Sequence, residues 1–477
     1  CGISGGPHRG SCRRLTMQIE QHTIHPIAAD ARHGRARDLF TVWFGSNVML
    51  LTVITGALAV TVFRLPLGWA VGGLLVGNLV GGLMMALHAA QGPTLGVPQM
   101  VQTRGQFGAR GALFVVAIVI IMYDGFFASN LVLGAETLRV IAPGMSEIVA
   151  IVLLGVLSVI ATILGYDVIH GYTRLMTYVS GAILLLTFAW ILFVHGVPAD
   201  LFTRNAGAGA PRILGAVSVA ALWQIAYAPY VSDYSRYMPA ETGVRPAFWA
   251  TYWGCCLGSI LPMTLGVIVA LVAGQNEIIP TLATLTRGIT ALVFVVFSVA
   301  MIANNAMNVY CGALSSLLFG YTLQPSWHPQ ARARTLVSLM LLVIALALAL
   351  LGRNSFLESY TSFILLLLYV LTPWTAINLV DYYLIRRARY DVSSFMRADG
   401  GIYGRYNGKA LFCYALGILV QIPFVSNPLY KGVVARALHE ADLSWIVGLI
   451  VTATTYYFMA RAAQVTAPAR NVPNPVV

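Results

Sequence analysis

Twelve apolar stretches follow one another along the chain, at about 39–63, 66–90, 111–138, 147–165, 175–195, 213–235, 248–274, 288–318, 335–352, 357–385, 410–427 and 443–460. Each is long enough to cross a hydrocarbon layer of about 30 Å as a helix. Lipid offers no partner to a bare N–H or C=O, so a chain built this way must satisfy its backbone within helices. The composition agrees: 58% of residues are hydrophobic and only 10% charged, where a soluble domain carries about 25% charged. No linker or low-complexity tract divides the spans. We expect an all-α polytopic membrane protein with one transmembrane domain over 39–462, between tails at 1–38 and 463–477. The longest connection, roughly 386–409, leaves no room for a soluble catalytic domain.

The net charge of +12 first suggests a nucleic-acid partner, but its distribution argues otherwise. With the N-terminus placed in the cytoplasm, 21 of the 29 Lys and Arg fall on cytoplasmic segments, six of them in the 386–409 loop. This bias is the positive-inside pattern. It puts both termini in the cytoplasm, in a cell or inner membrane, and the lipid headgroups suffice as partner for the basic excess. No nucleic-acid partner and no obligate protein partner is expected. Of the six cysteines, Cys1, Cys12, Cys255, Cys256, Cys311 and Cys413, four lie within spans, and no spacing matches a metal or redox site. Residues 1–16 precede a Met17 that reads as a natural start, so this leader is expected to be non-native, with no cleavable signal peptide evident.

Two spans carry interruptions. In the sixth, residues 223–239 read Trp-Gln-Ile-Ala-Tyr-Ala-Pro-Tyr-Val-Ser-Asp-Tyr-Ser-Arg-Tyr-Met-Pro. Pro229 donates no backbone hydrogen bond, so a carbonyl near Ile225 is freed at membrane depth, among aromatics that also hydrogen-bond. The first span contains Trp43-Phe44-Gly45-Ser46-Asn47-Val48-Met49, a Gly-Ser-Asn break in an apolar helix. Either break alone is tolerable in any membrane helix. The pair, five spans apart, points to two inverted five-helix repeats with a solute site where the broken helices meet. Spans 11 and 12 would stand outside the repeats.

Several motifs now resemble a known family. They are Trp43–Asn47 running on to Thr55-Gly56, Arg104-Gly105-Gln106-Phe107-Gly108, Ala228-Pro229-Tyr230-Val231-Ser232-Asp233-Tyr234-Ser235-Arg236-Tyr237, and Ile302-Ala303-Asn304-Asn305 with Asn308-Val309-Tyr310. The C-terminal third adds Arg389-Tyr390-Asp391-Val392, Tyr403-Gly404-Arg405, Gln421-Ile422-Pro423-Phe424 and Asp442-Leu443-Ser444-Trp445. Together they resemble the purine/cytosine permease branch of the nucleobase–cation symporters over about residues 40–460. The resemblance implies a LeuT-like fold of twelve helices and a flat solute held between aromatics of spans 3 and 6. Amides of spans 3 and 8 would read its edge. By position these are Phe126 and Asn130 in span 3, Trp223 or Tyr227 with Gln224 beside them in span 6, and Asn308 in span 8. Phe126 is a departure, since the family often has tryptophan there; phenylalanine keeps a stacking face but loses the indole donor and some area.

The residues also carry readings of their own. Asn130 and Asn308 are amides at membrane depth that demand partners, either a nucleobase edge or a neighbouring helix. Asp124 sits about fourteen residues into span 3, where a carboxylate costs on the order of 3 kcal/mol. It is expected to face protein or a watery cavity, as a proton carrier, a partner for a solute amino group, or a structural hydrogen-bond acceptor. In sodium-driven relatives, span 1 carbonyls and span 8 hydroxyls hold the cation. The best-matching positions here, Ile302 and Ala303, offer no side-chain oxygen, and Ser298 is one turn earlier. This favours H+ over Na+ as the coupling cation. Asp124 is then the carrier, and Gly45, Asn47, Val48 and Ser298 are the candidates for lining a cation site.

Glu136, Asp233 and Asp381, nearer span ends, read as packing or gate ion pairs, with Asp233–Arg236 a local candidate. Tyr166, Asp167 and His170 read as solvated residues of a loop after span 4, too few for a metal or catalytic cluster. No phosphate-binding nucleotide motif is present. The expected function is import of a nucleobase, cytosine or a purine, with no cofactor beyond the cation. Import of allantoin, a hydantoin or a pyridine-type vitamin is the near alternative. A membrane-embedded enzyme lacks its polar cluster, and paired broken helices count against a passive pore.

Overall fold

A computed structural model describes residues 24–163, 166–204, 207, 209–274, 277–327, 329–427 and 429–466, without the side chains of 166–173 and 463–466. The 1–16 leader, Met17, Cys1, Cys12 and the tail from 467 onward lie outside the described residues. Each of the twelve apolar stretches coincides with a helix or a bent pair. In chain order these elements are α1 (Ala36–Asn47) and α2 (Leu50–Thr61), α3 (Leu67–Ala89), the short α4 (Gln91–Leu95) and α5 (Gln99–Phe107), α6 (Leu113–Ile141), α7 (Glu147–Ile163) and α8 (Tyr166–Ala189). There follow α9 (Ala210–Ile225) and α10 (Ala228–Ser235), α11 (Val244–Ala273), the short α12 (Ile278–Leu285), α13 (Thr290–Leu323), α14 (Ala331–Gly352) and α15 (Phe356–Leu379). The chain closes with the short α16 (Val392–Phe395), α17 (Gly408–Leu419), the short α18 (Val433–Ala437) and α19 (Ser444–Thr466). By length and apolarity, seven segments qualify as crossings among the described residues, and the bent α1–α2 pair makes an eighth; α7 and α17 are shorter apolar helices.

Helix-to-helix packing sorts the spans into two groups. α1–α2, α3, α9–α10 and α11 pack on one another, while α6, α7, α13 and α14 form a second group. The first group takes spans 1 and 2 together with their counterparts five later, 6 and 7; the second takes 3 and 4 with 8 and 9. That pairing is what an inverted repeat produces. Small residues set the spacing in the first group. A Cβ on Gly266 of α11 would overlap the Val53 carbonyl of α2, and one on Gly77 of α3 the Val217 carbonyl of α9.

The first break forms as its residues dictate. The side chains of Ser46 and Asn47 both donate to the Trp43 carbonyl, at 3.2 and 2.6 Å, competing with the helix for its own acceptor. Val48 then leaves helical geometry at φ −82°, ψ 76°, and Met49 is extended. Thr52 Oγ1 donates to the Asn47 carbonyl at 2.5 Å and starts α2, at 59° to α1. The sixth span is interrupted as expected, between Ile225 and Ala228, but the interruption is mild. Ala226 and Tyr227 stay near helical geometry, and α9 and α10 continue as one 26-residue crossing. Pro229 sits in the first turn of α10, where its missing donor costs little. Tighter bonds, Tyr227 N–H to Gln224 O at 3.1 Å and Tyr230 N–H to Tyr227 O at 3.0 Å, carry the chain across.

Two further expectations shift. Tyr166–His170 begin helix α8 instead of forming a loop, and their side chains lie outside the described residues. Span 11 ends as a helix at Leu419, sooner than the apolar run implies, because Gln421 turns back to donate to the Gly417 and Tyr369 carbonyls. Two of the acidic residues near span ends make packing and ion-pair contacts of the kind expected: Asp233 accepts the Gln99 backbone N–H at 2.8 Å, tying α10 to α5, and Asp381 pairs with Arg386 at 2.9 Å. The four described cysteines are buried and free.

Candidate functional site

Where the bend of span 1 meets span 6, with α6 and α13 across from it, the helices leave a closed cavity of about 10 Å³, about the room of one water. Met49, Phe126, Trp223, Ala226, Tyr227, Tyr230, Asn304 and Asn308 line it. Its walls are aromatic and its polar groups few and convergent, the usual make-up of a small-molecule site. Phe126 and Trp223 face each other edge to face, with centroids 6.1 Å apart and planes at 84°. Tyr227 meets Trp223 at 5.8 Å and 75°, and Tyr230 lies 5.4 Å from Tyr227. A flat solute between two rings needs them parallel and about 7 Å apart, twice a carbon–carbon contact distance. The present arrangement therefore closes the two rings on each other, and one must turn to admit a solute.

One amide network forms the polar wall. Asn308 Oδ1 accepts from Tyr230 Oη at 2.6 Å, and Asn308 Nδ2 donates to Asn304 Oδ1 at 3.3 Å. Asn304 Nδ2 reaches the Ser46 carbonyl at 3.1 Å and Tyr227 Oη at 3.2 Å, joining α13 to the span 1 bend and to span 6. Asn130 donates to Asn304 Oδ1 at 3.1 Å and to Asn305 Oδ1 at 2.9 Å, so it stands behind the wall. Tyr123 Oη donates to the Pro229 carbonyl at 3.1 Å, holding α6 against α10.

The structure thus brings Phe126, Trp223, Tyr227 and Asn308 together at one cavity. It admits both Trp223 and Tyr227, between which the sequence left the choice open. Two expected residues lie elsewhere. Gln224 is a correction: it faces away from the cavity, donating to Asn78 Oδ1 at 2.7 Å and Ser259 Oγ at 3.0 Å. It follows Trp223 by about 100° around the helix, which carries it to the α3–α11 side. Asn130 is a second correction, being a partner of Asn304 and Asn305 instead of a lining residue. Asp124, a candidate for carrying the coupling proton and not for lining the cavity, lies off it as well. Two positions before Phe126, it lies about 200° around α6. Its neighbours on that face, Ile121 and Ala128, line a separate, largely apolar crevice against α14 and α15. Asp124 is buried, and no hydrogen-bond partner is found for it among the described residues.

The cation candidates separate in the same way. Asn47 is fully engaged: its Oδ1 accepts from Trp223 Nε1 at 2.6 Å and from Ser259 Oγ at 2.8 Å. It is a brace between spans 1, 6 and 7, with no side-chain atom to spare. Met49 N–H bonds to the Asn47 carbonyl at 3.0 Å, so Gly45 loses the donor that a continuing helix would supply. Gly45 and Val48 therefore remain at the bend. Ser298 has a buried hydroxyl with no partner. It lies six residues, about 9 Å of helix rise, from the Asn304 contact with Ser46, so it does not bond to the bend.

Sequence reasoning missed Asn304, Tyr230 and Met49. Asn304 stood in a motif already singled out, and its i,i+4 relation to Asn308 puts both on one face. Tyr230 follows Tyr227 by three positions across the break.

This architecture, two interlocked inverted repeats around a mid-span cavity at a helix break, defines a secondary transporter of the LeuT-like class, not an enzyme. Among solved structures, Mhp1, a nucleobase-cation-symport-1 family transporter in a closed conformation with bromovinylhydantoin bound, superposes with a TM-score of 0.77. The match covers 94% of this chain and 97% of that one at 18% identity, so the two share a fold. The family model for permeases of cytosine/purines, uracil, thiamine and allantoin matches residues 26–448, and the chain belongs to this family. The putative purine-cytosine permease YxlA of Bacillus subtilis is 36% identical over 455 residues, 93% of this chain and 96% of the relative. The purine-cytosine permease fcyB of Emericella nidulans is 24% identical over 460 residues, 92% and 88% of the two chains.

Proposed function

We propose that the protein imports a nucleobase, cytosine or a purine, across the cell membrane by alternating access, coupled to a cation that is H+ in preference to Na+. The observation that carries the reading is the cavity itself. Phe126 opposes Trp223 there, and the Asn304–Asn308 amides converge with Tyr227 and Tyr230 on the space between. Rings supply faces for a planar heterocycle, and amides supply donors and acceptors for its edge. Uptake of radiolabelled cytosine into proteoliposomes, competed by purines, uracil, allantoin, hydantoin and pyridoxine, tests it. Competition by the bases at the lowest concentrations supports the reading. Hydantoin or allantoin competing more strongly replaces it with the neighbouring one, which the smaller stacking face of Phe126 favours.

The preference for H+ rests on Ile302 and Ala303, which place no side-chain oxygen where a hard cation would need one, and on Ser298 standing off the bend. Asp124 is the proposed carrier, acting through the packing of α6 because it does not line the cavity. Uptake should rise as external pH falls and change little when sodium is replaced. Asp124→Asn should still bind and exchange solute but fail to accumulate it against a gradient. Accumulation by the variant, or a sodium requirement at every pH, would move the cation to the Gly45 and Val48 carbonyls.

For orientation, the basic bias places the 386–409 end in the cytoplasm. A cysteine introduced at exposed Arg389, in a background lacking other reactive cysteines, should be modified by an impermeant maleimide in inverted vesicles and not in intact cells. Labelling from outside would reverse the topology.

A further inference from the structure

Beside the exit of α15, away from the solute cavity, another cleft of about 480 Å³ gathers Arg386, Arg387, Arg389 and Arg461 with Tyr457. The backbone is shaped to make it. α15 ends in a wider π-helical turn, Val380–Ile385, and Arg386 N–H and Ala388 N–H bond back to the Asp381 and Tyr382 carbonyls, both at 2.8 Å. Arg387 and Ala388 then take φ of 51° and 61°, a left-handed pair that costs non-glycine residues of order 1 kcal/mol each. The reversal carries Arg387 and Arg389 to the cleft shared with Arg461 of α19.

The charges there do not balance. Arg386 is paired with Asp381 at 2.9 Å and lies over the Tyr403 ring at 4.7 Å. Arg461 Nη1 donates to Tyr457 Oη at 2.7 Å, which leaves its other donors and its charge uncompensated. Among the described residues no carboxylate lies within ion-pair reach of Arg387, Arg389 or Arg461. Three cations with forked donors, brought to one cleft, match the oxygens of a phosphate. The surroundings select the form of that phosphate. Leu384 lines the cleft and Phe458 lies about one turn before Arg461 on α19; at 55% and 64% exposed, both extend the surface toward the apolar belt, where acyl chains would lie.

We propose that this cleft binds the headgroup phosphate of an anionic phospholipid, clamping the exit of α15 to α19. The site is independent of which solute is carried. It requires only that the protein is embedded in a bilayer.

Native mass spectrometry of the full chain, titrated with phosphatidylglycerol or phosphatidylcholine, tests the proposal. The wild type should retain phosphatidylglycerol over phosphatidylcholine. Each of Arg387→Gln, Arg389→Gln and Arg461→Gln should lower that retention about fivefold, while Arg332→Gln, an exposed arginine elsewhere, should not. Phosphatidylglycerol in nanodiscs should also raise the melting temperature of the wild type more than that of each single variant. Equal retention of the two lipids, or unchanged retention in all three variants, overturns the site. Displacement of the lipid by millimolar inorganic phosphate alone overturns the lipid assignment in favour of a soluble anion.

Discussion

Trp223→Ala should raise the transport KM by about 5- to 150-fold, the loss of one stacking face at about 1–3 kcal/mol per base. Trp223 does two things at once. Its ring opposes Phe126 across the cavity, and its Nε1–H is the 2.6 Å donor to Asn47 at the span 1 bend. Trp223→Phe separates the roles by keeping a face and deleting the donor. Asn47 Oδ1 keeps Ser259 as a donor, so the cost of that deletion should be about 1 kcal/mol. Phe126→Ala should raise KM in the same range, and Phe126→Trp should be tolerated or tighten binding. Saturation uptake curves on variants of matched expression decide this. If Trp223→Ala and Phe126→Ala leave KM unchanged, the solute does not sit between these rings.

How far the sequence leads depends on whether a feature is local or relational. The spans are local, because an apolar run at membrane depth must close its own backbone hydrogen bonds, and every run found its helix. The span 1 break was legible too, since Ser46 and Asn47 carry the side chains that compete for the Trp43 carbonyl. The depth of the span 6 break was not. Pro229 marks a missing donor, but whether the chain kinks depends on bonds such as Tyr227 to Gln224, which the sequence does not reveal. Helix phase decides which candidates reach the cavity. Gln224 and Asp124 are sequence neighbours of true lining residues yet lie about 100° and 200° away around their helices. Asn130 shows the remaining limit. A buried amide must find a partner, and only the folded chain shows that Asn304 and Asn305 meet it before a solute can.

Those partners make Asn304 the residue whose loss should matter most. Its side chain accepts from Asn130 and Asn308 and donates to the Ser46 carbonyl and Tyr227. It therefore links both repeats to the cavity wall. Asn304→Ala strips a donor or an acceptor from four buried groups. Each orphaned group costs about 1–3 kcal/mol, reduced where a second partner remains, as Asn305 does for Asn130 and Asn308. Transport should fall by about a thousandfold and the melting temperature with it. Asn130→Ala should be milder, because its Oδ1 already has no partner and its removal leaves Asn304 Oδ1 with Asn308. Asn308→Ala should differ in kind, since Asn308 lines the cavity. Its loss should penalise bases with a full hydrogen-bonding edge more than analogues lacking one, since a site built to pair a polar group discriminates strongly against its absence. An analogue panel run on the three variants, with melting curves alongside, separates support from recognition. Equal losses across the panel for Asn308→Ala would assign the whole amide network to helix packing. A thermally intact Asn304→Ala with normal uptake would show that the link between bend, wall and span 6 is not needed for transport.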